Sequence, residues 1–574
     1  MDSRRFLLAV VLMIAVMVVT NIVFPPPPAP ETAAPDSARS GTDTSAAPAR
    51  VGADTSAPVP VPPPVAAVPA DTPPTQAADT AGPVQPAAAD LPDDTLSVRS
   101  PLYEYRIATR GAAIVGAQLF DFPVLQEGRE DETVQLASTE LPGLFAYRVR
   151  SGTRDIPFDA LGFTAEPAQN IALATADSLR SVRLSHRGAD GTGIDVVYDF
   201  DPDEYAIDVR MVVDVPGGQV PNLFISLPRT LARNEENLAE EERALAYVVN
   251  NTREGIRSVR LGAIDTERVE NGPLHWVAVK SKYFVAGALT HPESQTPFGG
   301  LIATPIPEPN AARMEVTLLP GADGTFSFRL YLGPQEPQRL AELGSSFQDV
   351  NPFGWRAFRP IMRPLGHAIQ WAIYGMHDLL GLGYGWVLIL FGILVRIALW
   401  PLNAKAMRSQ MKTMEIQPKL KEIQTKYKDK PEQLQKEMLR LYKEEGFNPM
   451  GGCLPMLVPL PILITLFFVF QSTIAFRGVG FLWLPDLSRA DPFFILPILL
   501  GVSMFLMQWM STRSMPEQNP QMKFMMYAMP IFMTVIFLNF ASGLNLYYAS
   551  MNFASIPQQI QISRERRRFQ ASRK

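Results

Sequence analysis

The chain has 574 residues, 47% of them hydrophobic, a formal net charge of −5 and a single cysteine. This length allows several domains, and one cysteine excludes an intrachain disulfide. The 5 histidines are scattered and form no cluster of metal ligands with the cysteine. The sequence contains no phosphate-binding glycine loop and no nucleophile elbow. It therefore predicts no enzyme, no metal site and no cofactor.

The charges are unevenly distributed along the chain. Residues 405–447 contain eleven Lys or Arg and seven Asp or Glu, and residues 564–574 contain six and one. The rest of the chain is therefore acidic. This distribution is typical of a membrane protein with basic loops on the cytoplasmic side and an acidic domain on the other side.

Residues 1–24 begin with two nearby arginines and continue as an apolar run that ends in four prolines. A signal peptide usually has an apolar core of about 7–15 residues before a cleavage site with small residues. Because this run is longer, we expect an uncleaved transmembrane anchor with a cytoplasmic N-terminus; a cleaved signal peptide is the alternative. Residues 25–95 contain no aromatic residue, and this composition predicts a disordered periplasmic linker.

Residues 96–345 show alternation of apolar and polar residues, which predicts strands with one buried face. The clearest examples are 102–107, 181–185, 205–212 and 325–332. Turn signals rich in Gly and Asp separate these stretches. We expect an antiparallel β domain, arranged as a two-sheet sandwich in the periplasm and followed by a short helix near 335–344. A sugar-binding or enzymatic β domain is the alternative, although no set of polar residues converges.

Residues 353–380 place apolar side chains at helical spacing opposite three arginines. This pattern predicts an amphipathic helix at the membrane surface, kinked or interrupted by Pro360 and Pro364. A linker helix packed on the β domain is the alternative.

Residues 384–404 predict a transmembrane helix that contains Arg396, with uncharged residues on both sides. An arginine near the centre of a span costs roughly 2.5–3.5 kcal/mol on insertion scales. Such a side chain usually faces a partner or a water-filled cavity, although it can also extend towards the interface. We expect a functional role for Arg396.

The remaining sequence predicts four further spans and a cytoplasmic helical hairpin. Residues 524–562 are uncharged but too long for one span, and Ala541, Ser542 and Gly543 mark the break between two helices. With the anchor, the prediction is a polytopic α-helical membrane protein with six transmembrane helices. Its expected parts are a hairpin over 405–447, spans over 453–473, 491–511, 524–540 and 543–562, and a basic cytoplasmic tail over 563–574. Prolines and polar residues within these spans favour a wet cavity over a dry anchor.

Several motifs, which follow one another in the family's order along the chain, resemble the YidC family of membrane protein insertases. These are bacterial relatives of the mitochondrial Oxa-type and chloroplast Alb-type proteins. The similarity covers about 353–565 and is weaker in the β domain, where it lies chiefly in 275–291. The motifs are LVRIALWPL (394–402), FNPMGGCLPMLVPLPI (447–462), DPFFILPILLGVSMFLMQ (491–508) and MPIFMTVIFLNFASGLNLYY (529–548).

The resemblance implies a periplasmic β-supersandwich and a five-helix insertase core with a hydrophilic groove that is closed to the periplasm. The expected groove residues are Arg396, Gln508, Tyr547, Tyr548, Asn545 and Ser503. This chain has Gly392 and Pro459 at positions where another family member carries threonine and glutamine.

The expected function is a membrane protein insertase and folding chaperone of the bacterial inner membrane, with both termini in the cytoplasm. The expected partners are nascent membrane proteins, the Sec translocon, the ribosome and the lipid bilayer. A polytopic transporter or channel for a small solute is the alternative. The spans show no internal repeat, which argues against transport.

Overall fold

The structure is a computed structural model, and the residues it describes belong to one compact unit. They are 95–571 without 142, 176–178, 218–219, 355–357, 402, 405–418, 421, 429, 445–458 and 513–519. Several predictions lie wholly or partly outside the described residues. These are the anchor, the linker up to 94, much of the hairpin, the first part of the span that starts at 453, and the last three residues of the tail.

Nineteen strands are described between Thr95 and Pro334. They are β1 Thr95–Arg99, β2 Tyr103–Ala108, β3 Ala113–Pro123, β4 Thr133–Gln135, β5 Ala146–Ser151, β6 Arg154–Pro157, β7 Thr164–Glu166, β8 Ile171–Ala172, β9 Arg180–Arg187, β10 Gly193–Phe200, β11 Ala206–Asp214, β12 Asn222–Ser226, β13 Ala246–Asn251, β14 Gly255–Arg260, β15 Arg268–Lys280, β16 Phe284–Thr290, β17 Phe298–Pro305, β18 Ala312–Leu318 and β19 Thr325–Pro334.

The strands form two sheets. The smaller has the order β4-β3-β2-β1-β8, and the larger has 14 strands. In the larger sheet, β15 joins two halves, because its first residues pair with β17 and its last residues pair with β16 and β13. The four stretches predicted from alternation coincide with β2, β9, β11 and β19, so these predictions are confirmed.

The two sheets share one apolar core, as expected for a β-sandwich. Tyrosines on the inner faces join the sheets through their hydroxyl groups. Tyr105 in β2 donates to the carbonyl oxygen of Leu332 in β19 at 2.8 Å. Tyr198 in β10 donates to the carbonyl oxygen of Ala112 at 2.6 Å. A buried hydroxyl usually needs a partner of this kind, so these contacts favour one arrangement of the sheets.

Nine α-helices are described; the first lies between β12 and β13, and the other eight follow the last strand. They are α1 Leu238–Ala244, α2 Pro337–Glu342, α3 Arg359–Leu380, α4 Tyr384–Ala398, α5 Pro431–Glu444, α6 Pro459–Ser472, α7 Ile495–Thr512, α8 Pro520–Phe537 and α9 Ser542–Ala571. The short helix predicted near 335–344 is α2. The predicted break at 541–543 falls where α9 begins. Within the described ranges, no helix has both the length and the apolar character needed to cross a membrane.

Helix α9 is central to the helical part of the molecule. It packs against α4 and α7 along much of its length and also contacts α6. Helix α3 packs against α6 and α4, and α8 packs against α7. A second apolar core, separate from the core of the β domain, fills the space between these helices. Polar side chains on α9 are therefore placed against several neighbouring helices.

Helix α3 contacts the β domain through part of its cationic face. Arg359 donates to the carbonyl oxygen of Ile256 at 2.7 Å, and Arg363 forms an ion pair with the buried Asp349. Apolar residues on α3 divide into two sets, since Met362 is buried whereas Ile361 is exposed. Pro364 lies inside the helix without ending it. These contacts are those of the alternative in which the helix packs on the β domain. The position of α3 at a membrane surface stays a prediction, which its exposed apolar side chains support.

A second junction joins the β domain to the segment between α6 and α7. Arg477 in this segment forms a buried ion pair with Glu235, which precedes α1, at 2.7 Å. The guanidinium carbon of Arg477 also lies 5.3 Å from the ring centroid of Phe284 in β16. Nearby, the buried carboxyl group of Glu241 accepts the backbone N–H groups of Asn234 and Glu235 at 3.1 Å. We call Arg477, Glu235 and Glu241 the junction cluster.

Candidate functional site

Helices α4 and α9 approach each other closely because a glycine lies between them. A Cβ atom at Gly392 would lie 3.1 Å from the carbonyl oxygen of Tyr547 and 3.4 Å from the backbone nitrogen of Met551. Most side chains would therefore separate the two helices. Glycine at this position, where another family member carries threonine, therefore has a packing reason, because the absence of a side chain allows the two backbones to come into contact.

One helical turn after Gly392, the last turn of α4 carries Arg396. Its side chain is half-buried, and its Nη2 atom donates a hydrogen bond of 2.6 Å to Oε1 of Gln558 in α9. The Nε2 atom of Gln558 in turn donates to the carbonyl oxygen of Trp400 at 3.2 Å. Within the described part of the chain, Nε of Arg396 has no hydrogen-bond partner. The observed partner of this arginine is thus a neutral amide.

Two further predicted groove residues, Ser503 and Asn545, are buried in the bundle. Ser503 in α7 accepts a hydrogen bond of 3.0 Å from Nδ2 of Asn552 in α9. Asn545 donates from Nδ2 to the carbonyl oxygen of Phe537 at 3.0 Å, at the end of α8. Both contacts hold α9 against a neighbouring helix. In the structure these two residues therefore link helices, and their place in a groove stays a prediction.

The two predicted tyrosines, Tyr547 and Tyr548, face α6 and its neighbours. Tyr547 is fully buried, with its ring centroid 5.7 Å from that of Phe391 and 5.5 Å from that of Phe470. The hydroxyl of Tyr548 donates to the carbonyl oxygen of Leu463 at 3.4 Å. Their rings lie within packing distance of each other, at 5.2 Å. Tyr547 belongs to the apolar core of the bundle, and Tyr548 lies at its margin.

The sixth predicted groove residue, Gln508, is exposed on α7. The residue that sequence reasoning missed is Gln558, which contacts Arg396 directly. The sequence contains a weak signal for Gln558, because Gln558 and Gln559 are adjacent polar amides in a predicted span that has no charged residue. Their spacing from Arg396 along the chain could not reveal the contact.

Family comparisons match both parts of the chain. A family described as 60Kd inner membrane protein matches residues 375–569, and one described as YidC periplasmic domain matches residues 95–367. The first range contains the bundle with Arg396, and the second contains the β-sandwich. Together they define a class of protein in which a sheet-rich periplasmic domain precedes a helical inner-membrane part.

Named relatives cover most of the chain. The membrane protein insertase YidC of Cupriavidus necator is 30% identical over 506 residues, 84% of this chain and 86% of that protein. The one from Chloroherpeton thalassium is 30% identical over 497 residues, 82% of each. A crystal structure of an active YidC insertase with its first transmembrane domain resolved has 18% identity and a TM-score of 0.32. That alignment covers 82% of this chain and 92% of the other.

The chain therefore belongs to the YidC family of membrane protein insertases. Members of this family are inner membrane proteins with a periplasmic domain, and they are not enzymes. The site built around Arg396 accordingly has to be judged by what it can bind and solvate. A half-buried guanidinium attracts negative charge and donates hydrogen bonds, and it breaks no covalent bond.

Proposed function

We propose that this protein inserts nascent membrane proteins into the inner membrane and that Arg396 receives the polar tail of the substrate. The observation that carries this proposal is the environment of Arg396. Its side chain is half-buried on α4, and its hydrogen-bond partner is the neutral amide of Gln558. A positive charge in such a place attracts an acidic or polar segment more strongly than a charge in water does.

The proposed membrane core consists of α4, α6, α7, α8 and α9, with the segment 1–24 as a sixth span. Exposed apolar side chains on the outer faces of α7 and α8 support a lipid-facing surface, for example Val502 in α7 and Ile531 in α8. The basic loop 405–447 and the basic tail 563–574 support a cytoplasmic location for both termini.

The proposed mechanism is solvation of a polar segment during its passage through hydrocarbon. Each unsatisfied polar group in the bilayer core costs several kcal/mol. A hydrophilic groove that reaches partway into the membrane shortens the dry distance, and Arg396 binds the tail transiently. The apolar helix of the substrate then moves into lipid beside the protein. This transfer supplies free energy without a nucleotide, because burial of apolar surface is favourable.

Partners and a chaperone role are part of the same proposal. The basic tail 563–574 suits a ribosome, since cationic segments bind phosphate without sequence preference. The Sec translocon is a proposed partner for substrates that need both systems. A folding chaperone role fits a bundle that accepts the apolar helices of other proteins at an exposed apolar surface.

The test is insertion into liposomes that contain only the purified protein. A small single-spanning substrate with a short acidic N-terminal tail is translated in their presence, and protection of the tail from protease is measured. We expect protection with the wild type, loss of most of it with Arg396→Ala, and partial retention with Arg396→Lys.

Two outcomes would contradict parts of this proposal. Equal protection with Arg396→Ala and Arg396→Lys would remove the role of positive charge. Absence of protection with the wild type, together with flux of a small solute across the same vesicles, would favour the transporter alternative. Insertion requires protected termini, whereas transport requires solute movement.

A further inference from the structure

The amide of Gln558 bridges two groups at the end of α4, one on Arg396 in its last turn and one on Trp400, two residues beyond its last residue. Its Oε1 atom accepts from Nη2 of Arg396 at 2.6 Å, and its Nε2 atom donates to the carbonyl oxygen of Trp400 at 3.2 Å. The side chain is almost fully buried, with 2% of its surface exposed. A buried glutamine with both ends of its amide occupied has little freedom to move.

These two contacts also determine the orientation of the amide. In the reverse orientation, the NH2 group of Gln558 would face the N–H groups of Arg396, and two donors would meet. The amide oxygen would face the carbonyl oxygen of Trp400, and two acceptors would meet. Because a guanidinium has only donors and a carbonyl oxygen only accepts, one orientation satisfies both ends. The amide therefore presents a fixed acceptor to the arginine.

The identity of the acceptor decides the net charge of the pair. A carboxylate at this position would form a charge-assisted, often bidentate, pair with the guanidinium and would neutralise it. An amide oxygen accepts a hydrogen bond and leaves the full positive charge in place. The junction cluster shows the other choice, since Arg477 is paired with the carboxylate of Glu235 at 2.7 Å.

We propose that Gln558 is a positioning residue that holds the guanidinium of Arg396 without neutralising it, and that this neutrality sets a preference for acidic substrate tails. This inference rests on the proposed function, because it assumes that Arg396 receives the tail. Gln558 acts through Arg396 and does not itself contact the substrate. Its contribution is to keep the charge available and directed.

The experiment compares two substrates that differ only in the tail, one with two acidic residues and one with the corresponding amides. Each is inserted by the wild type and by Gln558→Glu, Gln558→Met and the control Gln559→Glu. Gln559 is the adjacent residue and is also buried, but Gln558, not Gln559, bonds Arg396. The readout is the ratio of acidic-tail to neutral-tail protection.

We expect Gln558→Glu to lower this ratio about tenfold, because the new carboxylate competes with the acidic tail for Arg396. Gln558→Met keeps the length but removes the acceptor, and we expect a fall of about threefold because the guanidinium loses its fixed direction. The control Gln559→Glu should keep a ratio within about twofold of the wild type, since its charge lies on another face of α9.

A packing role for Gln558 would lower the protection of both tails equally and leave the ratio unchanged, and this result would overturn the inference. If Gln558→Glu does not fold in detergent, the ratio measured with Gln558→Met decides in the same way. Failure of the proposed function is distinguishable from failure of the inference. In the first case Arg396→Ala inserts the acidic tail as well as the wild type does. In the second case Arg396→Ala is defective while the Gln558 variants keep the wild-type ratio.

Discussion

Two arginines in the helical part of the chain have partners of opposite kind. Arg477, between α6 and α7, is buried against the carboxylate of Glu235 in the β domain at 2.7 Å. Arg396, at the end of α4, is half-buried against the amide of Gln558 at 2.6 Å. One pair is neutral overall and joins two parts of the molecule. The other pair carries a full positive charge.

A structural arginine can be told from a functional one by the charge of its partner. A buried arginine with a carboxylate has its charge compensated, so removal of either partner leaves an unpaired charge in a dry place. A half-buried arginine with an amide has an uncompensated charge, which the fold tolerates at a free-energy cost. Such a cost without a structural return points to a role in binding.

Loss of the cation at the junction cluster should change the stability of the protein more than any other substitution considered below. Arg477→Leu leaves the carboxylate of Glu235 buried without its cation, and we expect a loss of about 3–5 kcal/mol in the free energy of unfolding. Arg396→Leu leaves a neutral amide without its donor, which costs about 1–3 kcal/mol, but it also removes the uncompensated charge, so we expect a net loss of less than about 1–3 kcal/mol. The measurement is urea unfolding of the purified protein in detergent micelles, followed by tryptophan fluorescence.

The control is Arg129→Leu in the β domain. Arg129 pairs with Glu132 at 2.8 Å, and both side chains are exposed. Exposed pairs contribute about 0–1 kcal/mol, so this variant should stay close to the wild type. If Arg477→Leu is no more destabilising than Arg129→Leu, the junction cluster has no special structural role and the comparison fails on that side.

Much of the fold was predictable because its signals are local. Alternation with period two indicated strands such as β9 and β19, and a break at 541–543 separated α8 from α9. These features depend on neighbours within one element. Which strands pair with which is a different matter, since β11 pairs with β19 across more than a hundred residues and no local pattern records that pairing.

The candidate site was predictable only in part, for the same physical reason. Arg396 was recognisable because a charge in an apolar run is rare. Gln558 was missed because a glutamine in a helix has many bland interpretations, and its contact with Arg396 spans 162 positions. Tyr547 and Asn545 are buried in the structure, and their place in a groove stays a prediction, since the sequence pattern does not tell a wet face of a helix from one packed on a neighbour.

A smaller effect is expected from the pH dependence of the junction cluster. Burial raises the pKa of Glu241 to about 7, against an ordinary value of 4.5 and despite the opposing hydrogen bond from the backbone of Asn234. Between these two values the folded state binds more protons than the unfolded state. Through Glu241 alone, stability should therefore fall as the pH rises from about 5 to 7, by at most about 1.4 kcal/mol per pH unit.

Two other buried groups, Glu235 and Lys280, also bear on the pH dependence of stability. Burial also raises the pKa of Glu235, against the opposing charge of Arg477, and acts in the same direction. Burial lowers the pKa of Lys280 to about 8, so this lysine changes the pH dependence of stability only above about pH 7. Glu241→Gln should flatten the dependence between pH 5 and 7, whereas the exposed control Glu236→Gln should not. An identical slope for Glu241→Gln and the wild type would contradict the assignment.

The smallest expected effect concerns the contact that places Arg396 beside Gln558. Gly392→Ala introduces a Cβ atom 3.1 Å from the carbonyl oxygen of Tyr547, and this backbone atom cannot rotate away. Alanine favours a helix by up to about 1 kcal/mol over glycine, so the net change in stability should be about 1 kcal/mol or less. Separation of α4 from α9 should still lengthen the bond between Arg396 and Gln558. We therefore expect a fall of about twofold in the ratio of acidic-tail to neutral-tail insertion.

Gly375→Ala in α3, where a Cβ atom meets nothing within 4 Å, is the matched control for Gly392→Ala. If both variants keep the wild-type ratio, the close approach of the two helices does not set the selectivity, and Gln558 must position the arginine over a range of helix separations.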